Sequence, residues 1–140
     1  CFKANISEDL HGKAEFFFKN SKVQEVLRLK IGAQVMCITN KYATTDGIVN
    51  GSVGIVRAIE DGIIEVEFDN GMVQIERNEW SHEEDKVKIL TVWQYPLVLA
   101  WAITIHKSQG MTIPWLNVDL SRVFADGQVY VALSRAKSLE

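Results

Sequence analysis

Between Val53 and Glu76 apolar and polar residues alternate around two turn signals, and that passage constrains the fold more than any other. Ile63 to Phe68 puts Ile64, Val66 and Phe68 on one face, with acidic residues between them. Val53 to Ile59 reads as a strand that ends at Glu60-Asp61-Gly62. Asp69-Asn70-Gly71 is a hairpin turn of the kind that accepts positive φ, and Met72 to Glu76 alternates again beyond it. Lys86 to Val92 supplies another strand. Short strands joined by tight turns predict a small barrel, an arrangement that limits unpaired edges.

The flanks read differently. Around Phe16-Phe17-Phe18 a short strand is predicted. Val26 to Lys30 alternates as a half-buried strand, Ile31-Gly32 turns the chain, and Gln34 to Thr39 forms a second strand. Leu97-Val98-Leu99 reads as a buried strand running into a helix from Ala100 to Gln109, with Gly110 as its C-terminal cap. Leu116 to Leu120 is a further strand, and Asp126 is placed to N-cap a helix from Gly127 to Lys137. Strand–helix–strand–helix order implies an α/β layer interrupted by the small barrel.

Composition narrows the class. The chain has 140 residues, 47% hydrophobic and 24% charged, with a net charge of -3, which excludes a disordered or coiled-coil architecture. No apolar run approaches the ~18 residues needed to span a bilayer. The two cysteines, Cys1 and Cys37, build no disulfide framework, no Cys/His spacing matches a zinc site, and the chain reads as intracellular and soluble. Charge is unevenly spread. Residues 1–50 hold 7 basic and 5 acidic side chains, residues 51–91 hold 4 and 10, and residues 92–140 hold 4 and 3. An acidic middle sits between mildly basic flanks, so the whole-chain acidity does not exclude nucleic acid as a partner.

Two segments carry candidate chemistry. In Thr104-Ile105-His106-Lys107-Ser108-Gln109-Gly110, helical spacing puts Thr104, Lys107 and Ser108 on one face. Such donors can hold phosphate oxygens, although a solvated helix face with a capping glycine is the plainer reading. In Gln128 to Ala136, Gln128 and Arg135 project from nearly the same face, opposite a stripe of Val129, Leu133 and Ala136 expected to be buried. The planar fork of Arg135 suits a phosphate in a partner domain, while a salt bridge or simple exposure is the competing reading. His106 has no nucleophile or metal partner in the sequence and suits hydrogen bonding. Trp80, Trp93, Trp101 and Trp115 could stack on bases, with packing the safer assumption for each.

Taken in order, PLVLAWAITIHKSQGMT and VDLSRVFADGQVYVALSRAKSLE resemble motifs V and VI of the Pif-type and RecD-like superfamily 1 DNA helicases. LRLKIGAQVMCITN and GIVNGSVGIV resemble the segments that open the inserted barrel of that family. The resemblance implies a RecA-like domain 2A in residues 1–50 and 92–140, with an SH3-like barrel 2B in residues 51–91. It implies a motor that uses ATP and Mg²⁺ to move 5′ to 3′ on single-stranded DNA. Thr104, His106, Lys107 and Ser108 become DNA contacts, with Asn40 and Asn50 as further backbone contacts. Gln109 and Gly110 face the nucleotide cleft, Arg135 reaches the γ-phosphate, and Gln128 and Tyr130 support it.

Nucleoside triphosphate hydrolysis needs a P-loop. Gly12-Lys13 is the one Gly-Lys pair, but Ala14 follows it and Ser7 occupies the place of the first glycine. Glu83-Glu84 is expected in a charged loop rather than at a strand end that could hold Mg²⁺. The expectation is a piece of a larger helicase that binds no cofactor by itself and is inactive alone. An N-terminal RecA-like domain of the same parent would complete its ATP site. The rival is a free-standing module that binds DNA or protein through the barrel.

Overall fold

The computed structural model describes residues 1–9, 12–84, 87–110, 113, 116–121 and 127–136. Two compact units divide at Trp101 and Ala102. The first contains β1 (Phe2–Lys3), β2 (Asn5–Asp9), α1 (Ala14–Asn20), β3 (Val26–Leu27) and β4 (Gln34–Cys37). It continues with β5 (Val53–Glu60), β6 (Ile63–Phe68), β7 (Gly71–Ile75), β8 (Asn78–Glu84), β9 (Val87–Gln94) and β10 (Leu97–Leu99). The second contains a 3-10 turn, Ile105–Ser108, and α2 (Gln128–Leu133).

A five-stranded antiparallel sheet runs β10-β4-β5-β6-β7. Its alternation is the one read from the sequence: Ile64, Val66 and Phe68 are buried, as are Val73 and Ile75 on β7. Glu60 pairs with Ile63 across Asp61-Gly62, whose φ values of 46° and 80° give the two positive-φ positions of a tight hairpin. At the next turn Phe68 pairs with Gly71, and the positive φ, 125°, falls on Gly71. The core of this sheet joins Val35, Cys37, Val56, Leu97 and Tyr95, and Tyr95 donates its hydroxyl to Gly62 O at 2.6 Å.

β2, β9 and β8 form a three-stranded sheet, and β1 pairs with β3. α1 covers Leu90, Val92 and Ala4 with Phe17 and Phe18. The strand predicted around Phe16 is therefore a helix. Asp9 accepts the Lys13 and Ala14 N–H groups at 2.6 and 3.4 Å, which starts the helix without help from residue 13's own side chain.

Other expectations also change. Glu83 and Glu84 belong to β8, paired with Lys88 and Val87, not to a loop. The 26–30 strand shortens to Val26–Leu27, because Ala33 N–H turns back onto Lys30 O at 3.1 Å. Ala100 does not open a helix: its N–H donates to Gln34 O at 2.9 Å, prolonging the β10–β4 pairing, and only the 3-10 turn follows. Residues 116–120 form no strand, since the Asp119 carboxylate takes the Ser121 N–H at 2.9 Å in a side-chain turn. The last helix spans Gln128–Leu133, with Gly127 as N-cap at φ 85°. Asp126 and Lys137 lie outside the described residues. The five-stranded sheet takes β4 and β10 from beyond the expected 51–91 insertion, because β5 pairs with β4 as well as β6.

Candidate nucleotide and nucleic-acid interface

In the second unit the 3-10 turn packs against α2. The turn is held by Ser108 N–H donating to Thr104 O at 3.1 Å and by Ser108 Oγ donating to Ile105 O at 2.7 Å. Gly110 follows at φ 79°, a left-handed position that glycine adopts without strain. Ser108, Gln128 and Ala132 are the buried residues of these two elements. Thr104, His106, Gln109 and Gly110 are exposed on or beside the turn. Lys107 takes part in it through its backbone.

Two site expectations are corrected here. Ser108 is 5% exposed and its hydroxyl is committed to a backbone carbonyl, so it shapes the turn instead of facing solvent. The expected buried stripe of α2 is turned outward: Val129 and Leu133 are exposed, Tyr130 is 77% exposed, and Gln128 and Ala132 face inward. A helix of under two turns offers few inward positions, and here the small Ala132 fills one.

Arg135 follows the end of α2. Its Nε donates to Val131 O at 3.1 Å and its Nη2 to Ser134 Oγ at 3.0 Å. Ser134 Oγ in turn donates to Val131 O at 3.0 Å. The guanidinium is thereby fixed in orientation while the residue stays only half-buried. Ser134, whose Oγ accepts from the guanidinium, is a contact that sequence reasoning passed over. Its signal was its adjacency to the arginine. Ile113 N–H donates to Arg135 O at 2.7 Å, which anchors the backbone of the same residue.

In the first unit Asn40 and Asn50 come together across the loop between β4 and β5. Asn40 Oδ1 accepts the Asn50 N–H at 2.8 Å, and both residues are exposed. The loop is braced by Gly51 N–H donating to Cys37 O at 2.8 Å and by Tyr42, whose buried hydroxyl accepts the Glu76 N–H at 3.1 Å. Lys41 lies 5.5 Å from the Tyr42 ring centroid and 3.9 Å from Glu76. Of the tryptophans, Trp80 and Trp93 sit half-buried in paired strands, Trp101 is 63% exposed, and Trp115 lies outside the described residues.

The first unit thus carries an antiparallel sheet with a braced polar loop, and the second a turn–helix pair that holds a guanidinium. Residues 18–59 match the family described as DNA helicase Pif1, 2B domain. The ATP-dependent DNA helicase PIF1 of Mus musculus is 47% identical over 122 residues, covering 84% of this chain and 19% of that protein. The Pif1 of Campylobacter jejuni is 39% identical, covering 97% of this chain and 34% of that one. A crystal structure of Bacteroides Pif1 in complex with ADP-AlF3 and ssDNA superposes with a TM-score of 0.77 at 39% identity, over 99% of this chain and 32% of that one. The chain belongs to the Pif1-type helicase family. It spans between about a fifth and a third of the length of these relatives.

Proposed function

We propose that this chain is the DNA-gripping, phosphate-sensing part of an ATP-dependent 5′-to-3′ DNA helicase. The reading assigns residues 1–50 and 92–140 to a RecA-like domain 2A and the β-rich insertion to an SH3-like 2B. The match at residues 18–59 favours drawing β4 and β5 together into 2B. An N-terminal RecA-like domain of the parent carries the P-loop and closes on this chain. The observation that carries the reading is the held orientation of Arg135 at the end of α2, with the polar 3-10 turn packed on the same helix.

ATP and Mg²⁺ fit this arrangement unequally. A guanidinium whose Nε and Nη2 are tied back to Val131 O and Ser134 Oγ is pre-oriented for anionic oxygens. Among the described residues no group of three or more His, Cys, Asp or Glu could hold a metal ion, so the proposal places Mg²⁺ on the other motor domain. ATP supplies the phosphoryl group whose loss drives the cycle. Arg135 stabilises negative charge on the transferred group, Ser134 keeps the fork aimed, and Gln128 and Tyr130 are supporting positions on α2. Gln109 and Gly110 line the nucleotide side of the turn. Thr104, His106 and Lys107 hold the DNA backbone, with Ser108 maintaining the turn and Asn40 and Asn50 offering further contacts. Because turn and helix pack together, a phosphate-dependent shift of α2 moves the DNA-holding residues.

In the parent protein, Arg135→Ala is expected to lower ATP turnover by roughly 10³-fold or more while leaving single-stranded DNA affinity nearly unchanged. Arg135→Lys keeps charge but loses the fork and recovers little of the rate. Undiminished turnover in Arg135→Ala, or ATP hydrolysis by the isolated 140 residues, overturns the assignment. Unwinding of 5′-tailed but not 3′-tailed duplexes is the expected polarity.

A further inference from the structure

An open groove of about 570 Å³ lies in the first unit, between the end of α1 and the start of β3, and no residue assigned above lines it. Phe18, Val23, Val26 and Leu99 are the apolar residues of its mixed lining, and Lys22 and Arg28 line it as exposed cations. Neither cation has an ion-pair or hydrogen-bond partner through its side chain among the described residues. Glu25 is the one acidic residue among the described residues of the lining. The surrounding stretch, residues 19–30, holds four basic side chains (Lys19, Lys22, Arg28, Lys30) against Glu25 alone, within a chain whose net charge is -3.

We propose that this groove holds a segment of single-stranded DNA, with Lys22 and Arg28 on its phosphates and unpaired base faces against Phe18, Val26 and Leu99. Two unpaired cations complement a polyanion, and each phosphate they neutralise releases counterions. The apolar side chains of the lining favour the single strand, because a duplex hides its base faces in the stack while a single strand can lay them on a hydrophobic side chain. The proposal rests on the reading that this chain acts on DNA, but it concerns residues outside the turn and α2.

The test is binding of a labelled oligothymidine to the 140-residue chain across a salt series, for the unmodified chain, K22A/R28A and a control pair, K3A/K13A. Two single-strand phosphate contacts account for a slope of about 1.4 in log K against log salt, so K22A/R28A is expected to be shallower by that amount. The control pair should keep the original slope. Equal slopes in both pairs, or no salt-dependent binding by the unmodified chain, overturns the groove. So does an acidic peptide whose binding, unlike that of DNA, is lost in K22A/R28A. Turnover in Arg135→Ala decides the helicase reading separately, so the two failures are distinguishable.

Discussion

At Gly54 the start of β5 passes so close to β6 that a side chain has no room. A Cβ there would lie 2.6 Å from Glu67 O, 2.7 Å from Val66 Cγ1 and 2.9 Å from Phe68 Cδ1. Val66 and Phe68 are core residues, so the missing Cβ is the space that their packing uses. Gly54→Ala is expected to destabilise the chain by about 1–3 kcal/mol, measured as a lower urea midpoint. Cys37 and Tyr42 make a second residue-scale prediction. Burial pushes the thiol and the phenol up, with the Thr39 and Glu76 backbone bonds opposing it. Groups with raised folded pKa contribute stability that is complete below their unfolded values, about 8.5 and 10, and is lost as pH rises. Stability should therefore fall on the alkaline side from about pH 8.5 upward, and Cys37→Ala should flatten the first part of that limb.

Between elements, a single side chain joins pieces far apart in sequence. Gln94 at the end of β9 is fully buried, and its Nε2 donates to Phe2 O and Gln24 O at 3.0 Å each. Its Oε1 accepts the Tyr95 N–H at 3.0 Å. Arg77 reinforces the junction by donating to Lys3 O at 2.9 Å and Trp93 O at 3.2 Å while lying 5.1 Å from the Tyr95 ring centroid. β1 and β3 are two residues each and cannot hold their places by their own ladder. Gln94→Leu leaves buried carbonyls and an N–H without partners, and should cost about 2–4 kcal/mol in chemical denaturation. Hydrogen exchange should show the amides of β1 and β3 losing protection before those of β6.

For the molecule as a whole, among the described residues all ten strands and both hydrophobic clusters fall within residues 1–101, and of such pairing the second unit holds only the isolated bridge between Ile113 and Ala136. A chain ending at Trp101 is therefore expected to keep the β-sheet circular dichroism and the urea midpoint of the complete sequence within error. Loss of cooperative unfolding in that truncation would show that the second unit is needed for the first to fold. The hairpins were legible in the sequence because Asp61-Gly62 and the alternation from Ile63 to Phe68 are local signals, decided by backbone sterics and side-chain parity. The Pif1-type relationship was also legible, in the long runs around residues 104–112 and 128–136. β8 was not legible, since Asn78 to Glu84 is polar and becomes a strand only because β9 pairs along it. α1 was missed because three consecutive phenylalanines suggest a strand, and only the surface of Leu90 and Val92 makes a helix the better way to bury two of them. The same limit reached the candidate site: spacing placed Arg135 near Gln128, but not the outward turn of Val129 and Leu133 or the hold of Ser134 on the guanidinium. By itself the sequence determined the turns, the core parity of β6 and the family, all carried by neighbours in the chain. The tertiary structure decided where the sheet ends, which face of α2 is buried and which cations lack a partner among the described residues, because these depend on groups brought together from distant positions.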